Sequence, residues 1–247
     1  MKKVFIEKDI IMFQFEPEEE SFLGLNIFAI FNGDKYLLVD VGYESHMKEA
    51  LKELDKDNCE YVILTHFHPD HVYGLTELNN PTKIGSVYGK ETLSQFSHPH
   101  REKLIPDIEV TDEYVLEYGR HKFVMDIHPG HSKCIMRILL NDKYLFVGDE
   151  IMFTNDGNSV IPYCAVSFEM HLKGLKKLKK IMNSYTILPA HGSPIDSHKY
   201  IYDEIDKRIK YISFFLKKKG TYEDFEDQTG IKFIGKKWHK HNVDLKG

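Results

Sequence analysis

Cysteine is scarce in this chain, with three residues (Cys59, Cys134 and Cys164) among 247. An odd, scattered set without a Cys-x-x-Cys pair excludes a disulfide framework and a cysteine metal cluster. Cys134 and Cys164 read instead as small buried fillers. Long hydrophobic runs are missing as well. The stretch "MKKVFIEKDIIMFQFEPEEE" opens with two lysines, but Glu7, Lys8 and Asp9 interrupt its apolar residues. It therefore reads as neither a signal peptide nor a membrane span. Positive charge is not in excess either: the net charge is −5, which argues against nucleic acid as a partner, since backbone recognition rests on Lys and Arg. Low-complexity linkers and short-period repeats are absent. These absences leave a reduced, cytoplasmic protein. Its 42% apolar and 29% charged residues are ordinary for a globular chain. Its length allows a substantial core, and residues 1–247 read as a single domain whose last part, 197–247, is a mostly helical extension.

The first third reads as strands joined by tight turns. "LNIFAIF" and "KYLLVDVG" flank Asn32-Gly33-Asp34, a strong hairpin signal. "SHMKEALKELDK" carries Met47, Ala50, Leu51 and Leu54 at helical spacing. "CEYVILTH" is a buried strand that runs into a histidine cluster. Downstream, "KIGSVYG", "EYVLEYGRHKFVMDIHPGH" and "CIMRILLNDKYLFVGDEI" give five more strands, with turns at Gly119 and Asn141-Asp142, and "KETLSQF" a short helix. "SFEMHLKGLKKLKKIM" is an amphipathic helix with Leu172, Leu175, Leu178 and Met182 on one side; Lys176, Lys177, Lys179 and Lys180 are its wet face. "YTILPAHG" is a final strand, and "KYIYDEIDKRIKYISFFLKKK" a helix before a mixed, basic tail. Alternating strands and helices with hairpins in both halves indicate an α/β chain with two sheets covered by outer helices.

The residues able to carry chemistry share one kind of place, just after a strand: Asp40, then His66, His68, Asp70 and His71, then His131, Asp149 and His191. Strand ends along one sheet edge let a rigid scaffold converge distant side chains. Imidazole and carboxylate are the usual donors for zinc and other first-row divalent ions. His66 and His68, at i and i+2, can grip one ion from an extended segment. Asp70 and His71, beyond the redirecting Pro69, reach a second. His131 completes the first set and His191 the second, and Asp149 can bridge because a carboxylate has two oxygens. Isolated histidines are more often hydrogen-bonded core residues: His46, His121, His128, His171, His239 and His241 take that reading. "SHPHREK", with His98 and His100, reads as a solvated loop, with a lid over the site as the alternative.

"THFHPDH" resembles the His-x-His-x-Asp-His signature of the metallo-β-lactamase-fold superfamily. "LVDVG" (Asp40), "HPGHS" (His131), "FVGDEI" (Asp149) and "LPAHG" (His191) follow the family's order, over roughly residues 20 to 195. The resemblance implies an αββα four-layer sandwich, two mixed β-sheets flanked by helices, with metals at one sheet edge. It implies that His66, His68 and His131 hold one metal and Asp70, His71 and His191 the other, with Asp149 between them. Asp40 matches a position that supports the site. The cofactors implied are two divalent metal ions, zinc first, with iron or manganese as alternatives.

Fold does not fix function, and departures narrow it. Secreted antibiotic-hydrolysing members lack an aspartate at the Asp149 position and carry a signal peptide. Nuclease members carry a large insertion or an RNA-grasping arm. Flavin-linked oxygen reductases replace the second cluster histidine, here His68, by glutamate. What remains resembles glyoxalase II-like and lactonase-like hydrolases of small thioesters, lactones and esters. The lactonase tyrosine three residues past the bridging aspartate is Met152 here, with Tyr163 as a candidate substitute. Basic residues for a glutathione-like carboxylate would come from Lys207, Arg208 or Lys210. The expected mechanism is attack of a metal-bridging hydroxide on an acyl carbonyl, with Asp70 as the catalytic proton carrier. A mononuclear iron dioxygenase of sulfur compounds and a non-catalytic effector-binding module are the alternatives. The partner expected is a small-molecule substrate, with no nucleic acid and no membrane; a homodimer stays open as the assembly.

Overall fold

The N-terminal stretch "KKVFIEKDIIMFQF" is an antiparallel hairpin, β1 (Lys2–Glu7) and β2 (Ile10–Phe15). Every residue of β2 is buried, and its alternation sorts the core: Ile10 and Met12 face one way, Ile11, Phe13 and Phe15 the other. A strand buried on both faces lies inside a layered molecule. The computed structural model describes residues 1–18, 21–182, 185–217 and 220–245.

The first sheet continues through β3 (Leu25–Asn32), β4 (Lys35–Val39), β5 (Cys59–Ile63), β6 (Thr82–Ser86) and β7 (Ile108–Val110), in that spatial order. Pairings are antiparallel up to β4 and parallel from β4 to β7. The second sheet runs β12-β11-β10-β9-β8, with β8 (Glu113–Tyr118), β9 (His121–Ile127), β10 (Met136–Leu140), β11 (Tyr144–Phe146) and β12 (Thr186–Leu188). Its β11–β12 pair alone is parallel. Both sheets are therefore mixed. The expected hairpin falls where Asn32 pairs with Lys35, leaving Gly33 and Asp34 as its two central residues. Gly33 takes φ 64°, so the turn uses glycine at its first central position rather than an Asn-Gly centre.

Between the sheets lie Ile10, Phe28, Ile30 and Ile63 from the first and Phe123, Met136, Ile138 and Phe146 from the second. Phe28 and Phe146 meet edge-on at 5.0 Å, and burying each ring is worth roughly 1.5–3 kcal/mol. Outside the first sheet, α1 (Glu44–Ala50), α2 (Pro69–Val72), α3 (Gly89–Leu93) and α4 (Arg101–Leu104) join a second cluster around Phe13, Met47, Phe67 and Leu104. Outside the second sheet, α5 (Phe168–Ile181), α6 (His198–Lys217) and α7 (Tyr222–Thr229) pack a third around Leu175, Leu178, Tyr211 and Phe225. The layers are helices, sheet, sheet, helices.

Helix α5 starts where the Ser167 hydroxyl accepts from the Met170 N–H at 3.1 Å. Its Leu175 and Leu178 are fully buried, while Lys176, Lys177 and Lys180 are exposed and Lys179 pairs with Asp206 of α6. Helix α1 ends at Ala50, earlier than its apolar spacing indicates, and Leu54 is buried from the turns that follow. The mixed tail contains two further helices: α7, opened by a Thr221/Asp224 capping box and closed by Gly230 at φ 68°, and α8 (Trp238–Asp244). No helix among the described residues is long and apolar enough to cross a membrane.

Candidate metal centre

The C-terminal ends of β4, β5, β11 and β12 sit at one edge of the sandwich, and the loops leaving them carry the chemistry. His66 and His68 follow β5, Asp70 and His71 lie in α2, and Pro69 at the first helical position turns the chain between the pairs. Asp149 follows β11 and His191 follows β12, while His131 lies in the loop from β9 to β10.

Two donor sets result. His66, His68, His131 and Asp149 form one; Asp70, His71, Asp149 and His191 form the other; within each set the donor atoms all lie within 4.8 Å of one another. In the first, His68 Nδ1 is 3.0 Å from both His66 Nε2 and His131 Nε2. Asp149 Oδ2 is 3.7 Å from each of the same two nitrogens. In the second, Asp149 Oδ1 lies 3.3 Å from His71 Nε2 and 3.2 Å from His191 Nε2, with Asp70 Oδ2 at 3.6 and 3.5 Å. A tetrahedral ion with bonds of 2.0–2.1 Å holds neighbouring donors about 3.3 Å apart, so both sets have the right span. His71 Nε2, His191 Nε2 and Asp149 Oδ1 are buried without a hydrogen-bond partner among the described residues. Buried polar atoms normally have one; these three point at a common centre.

The backs of the rings explain why. His71 Nδ1 donates to Asp40 Oδ2 at 2.9 Å, His131 Nδ1 to the Tyr163 carbonyl at 2.7 Å, and His191 Nδ1 to the Gly24 carbonyl at 2.6 Å. Thr65 donates its N–H and hydroxyl to Asp40, at 2.8 and 2.7 Å, and its hydroxyl oxygen can accept from His66 Nδ1 at 3.2 Å. Each acceptor fixes the tautomer that leaves Nε2 with a free lone pair facing inward. Asp40 thus supports two rings at once, from a left-handed backbone at φ 55° that Asp tolerates better than most residues. Gly148 adopts φ 51°, and a Cβ there would sit 3.0 Å from the Thr65 hydroxyl. The glycine of "FVGDEI" lets the Asp149 turn close on Thr65.

Charge divides the two sets. Burial holds His66, His68 and His131 below the ordinary imidazole value, as neutral ligands must be. Burial also pulls on His71 and His191, but Asp149 and Asp70 outweigh it and raise both. Burial likewise opposes ionisation of Asp149, and His191, His71 and His66 outweigh it, keeping the carboxylate ionised. A cation entering the second set would displace protons from these imidazoles.

All seven residues expected from the sequence as metal ligands are brought together. Asp70 also lines the cavity above them, a space of about 630 Å³ shared with Tyr43, Phe96, Met152, Tyr163, Trp238, Glu16 and Glu18. Two histidines read as core residues line it as well: His46, which is buried as expected, and His241, which is only partly buried and so departs from that reading. His46 accepts from the Tyr43 N–H at 3.3 Å, and His241 stacks on the Tyr163 ring at 4.5 Å. His121, His128, His171 and His239 are hydrogen-bonded away from the cavity. His98 is held by Glu44 at 3.1 Å and His100 is exposed; no described residue of that loop lines the cavity, which Gln95 and Phe96 just before it reach. Cys134 and Cys164 are buried free thiols. Arg208, offered above as an anion contact, is instead buried against Glu204 at 2.6 Å, and neither Lys207 nor Lys210 lines the cavity.

Sequence reasoning missed the supports. Glu150 is buried beside Asp149, its Oε2 accepting the His131 N–H at 2.8 Å; burial pushes its carboxyl up to about 8. Asn26 sends Nδ2 to the Pro189 and Gly192 carbonyls at 2.9 and 2.7 Å, and Asn242 bonds the chain on either side of Tyr163. A polar residue inside an apolar strand flags Asn26; nothing local flags Asn242.

Comparison with known proteins agrees with this geometry. A family model described as the metallo-beta-lactamase superfamily matches residues 22–210. The Beta-lactamase-like protein 2 homolog of Drosophila melanogaster is 24% identical over 226 residues, 82% of this chain and 72% of that protein. The hydroxyacylglutathione hydrolase of Haemophilus ducreyi is 22% identical over 180 residues, 70% of this chain and 68% of that protein. Among solved structures, a metallo-beta-lactamase from Pontibacter korlensis superposes with a TM-score of 0.68 at 13% identity, covering 83% of this chain and 98% of that one. A shared fold, two donor sets at its sheet edge and a model match over most of the length lead to one conclusion: this chain belongs to the metallo-beta-lactamase superfamily.

Proposed function

We propose that the protein is a binuclear metal-dependent hydrolase of small thioesters, lactones or esters, cytoplasmic and without nucleic-acid or membrane partners. The observation that carries this reading is the placement of Asp149, whose two oxygens face different donor sets. His66, His68 and His131 would hold one divalent ion and Asp70, His71 and His191 the other, with Asp149 common to both. Nitrogen-rich sets with carboxylate oxygen suit zinc first, and iron or manganese next. Bound there, such ions supply a water ionised near neutral pH and a Lewis-acid contact for an acyl oxygen.

The chain's own residues do the rest. Asp70 stands between the second donor set and the open cavity, placed to take a proton from the attacking water and return it to the leaving group. Leu23, Leu25, Phe96, Met152 and Trp238 give the cavity an apolar lining for the acyl portion. No Lys or Arg is among the described lining residues, whereas Glu16 and Glu18 are. That supports an uncharged acyl donor rather than an anionic glutathione conjugate, and it supports a substrate outside the antibiotics.

The test is hydrolysis of a panel of lactones, thioesters, esters and phosphoesters by metal-loaded and chelated protein. Turnover of one acyl class, lost on chelation and restored by zinc, manganese or iron, is the expected result. Oxygen uptake on a sulfur substrate with a single iron per chain would replace the hydrolase by the oxygenase.

A further inference from the structure

We propose that two buried asparagines, Asn26 and Asn242, are positioning residues, each dedicated to one half of the binuclear centre. The inference rests on the two-metal reading above and extends it to residues that touch no metal.

Asn242 lies in α8, beyond residues 22–210 matched by the family model, and is fully buried. Its Oδ1 accepts the Cys164 N–H at 3.0 Å and its Nδ2 donates to the Pro162 carbonyl at 2.6 Å. These bonds bracket Tyr163, whose carbonyl holds His131 Nδ1 at 2.7 Å. The neighbouring Ala165 N–H donates to the His131 carbonyl at 3.0 Å, so the ring and backbone of His131 are read against the same four-residue loop. Without the bracket, the Tyr163 peptide is free to rotate, and His131 loses the acceptor that sets its tautomer and plane.

Asn26 does the equivalent work for His191. Its Nδ2 donates to the Pro189 and Gly192 carbonyls, at 2.9 and 2.7 Å, and its backbone N–H to the Ala190 carbonyl at 2.8 Å. These contacts surround His191, whose Nδ1 finds the Gly24 carbonyl at 2.6 Å. Asn26 stands on β3 of the first sheet and His191 follows β12 of the second, so the amide ties the two sheets at the point where their ligands meet. The two clamps act on different loops and different donor sets, and no hydrogen bond joins them among the described residues.

The consequence is a double dissociation. Asn242→Ala should weaken zinc binding by His66, His68 and His131 about tenfold or more, the usual effect of removing support behind a ligand, and spare the other set. Asn26→Ala should do the reverse. Zinc titration of ¹⁵N-histidine-labelled protein, followed through the ring nitrogens of His131 and His191, reads the two sets separately and without turnover. Equal weakening of both sets in either variant would mean general destabilisation and would overturn the proposal, as would unchanged binding in both. Where an alanine variant does not fold, the isosteric Asn242→Asp and Asn26→Asp, which lose the amide donor, carry the same expectation. Wild-type protein whose histidines ignore zinc altogether would instead remove the two-metal reading itself.

Discussion

Asp149 is ringed by four inward-facing imidazole nitrogens within 3.7 Å, and its Oδ1 has no hydrogen-bond donor among the described residues. A carboxylate buried in that company costs several kcal/mol unless cations share it, which is a structural reason for ions and not only a resemblance. Both carboxylates line the cavity, but the Asp70 side chain is 27% exposed where that of Asp149 is 7%. The proton-carrying role proposed for Asp70 gives a prediction at this scale. Asp70→Asn, with metal content measured on the same sample, should lower kcat by about a hundredfold, the lower range for a lost general base. Full activity with both metals retained would remove Asp70 from the chemistry. The seven candidate ligands were legible because each lies in a short motif that follows a strand. Thr65, Glu150 and the Tyr163 carbonyl were not, since their roles depend on what packs behind a ring.

Helix α6 reaches the site through one pair of charges. Arg208 is buried between the Phe153 and Phe233 rings and donates to the Met152 carbonyl at 2.7 Å and to Glu204 Oε2 at 2.6 Å. Met152 lines the cavity three residues past Asp149, so the pair steadies the loop that carries Asp149. Burial opposes ionisation of Glu204, but Arg208, Lys207 and Ser159 outweigh it and hold the carboxyl below its ordinary 4.5. The stability this gives is complete above that value and is lost as pH falls through the lower folded-state value. Glu204→Gln should strand Arg208, cost roughly 3–5 kcal/mol at neutral pH, and flatten the dependence of Tm on pH below about 4.5. Parallel Tm profiles of the two proteins would contradict this. The helical nature of α6 was legible from its apolar spacing, whereas α8 was not. Its segment, "WHKHNVD", has no apolar stripe; it docks through stacking of His241 on Tyr163 and through the Asn242 amide. Periodicity cannot announce a helix held by such contacts.

At the scale of the whole molecule, the four layers follow from strands whose two faces are both apolar, as in β2 and β3, and from helices with one apolar face, as in α5. The hairpin turns and the strand-to-loop positions of the ligands could be read in advance, because Gly, Asn and Asp mark turns locally. The short β7 and the pairing of β1 with β2 could not: β7 has only three residues, and the charges that interrupt the N-terminal apolar run, Glu7, Lys8 and Asp9, fall at the turn between β1 and β2. The layers matter to function because they bring four strand ends to one edge. Asn26 and the Gln14 amide, which donates to the Gly192 carbonyl at 3.2 Å, bind the two sheets there. The number of divalent ions held by each chain therefore decides whether the two donor sets are a binuclear centre. Elemental mass spectrometry of protein purified without added metal should find about two ions of zinc, iron or manganese per chain, as two donor sets sharing one carboxylate require. No tightly bound metal, even after reconstitution with each of the three, would contradict the ligand assignment and the hydrolase with it.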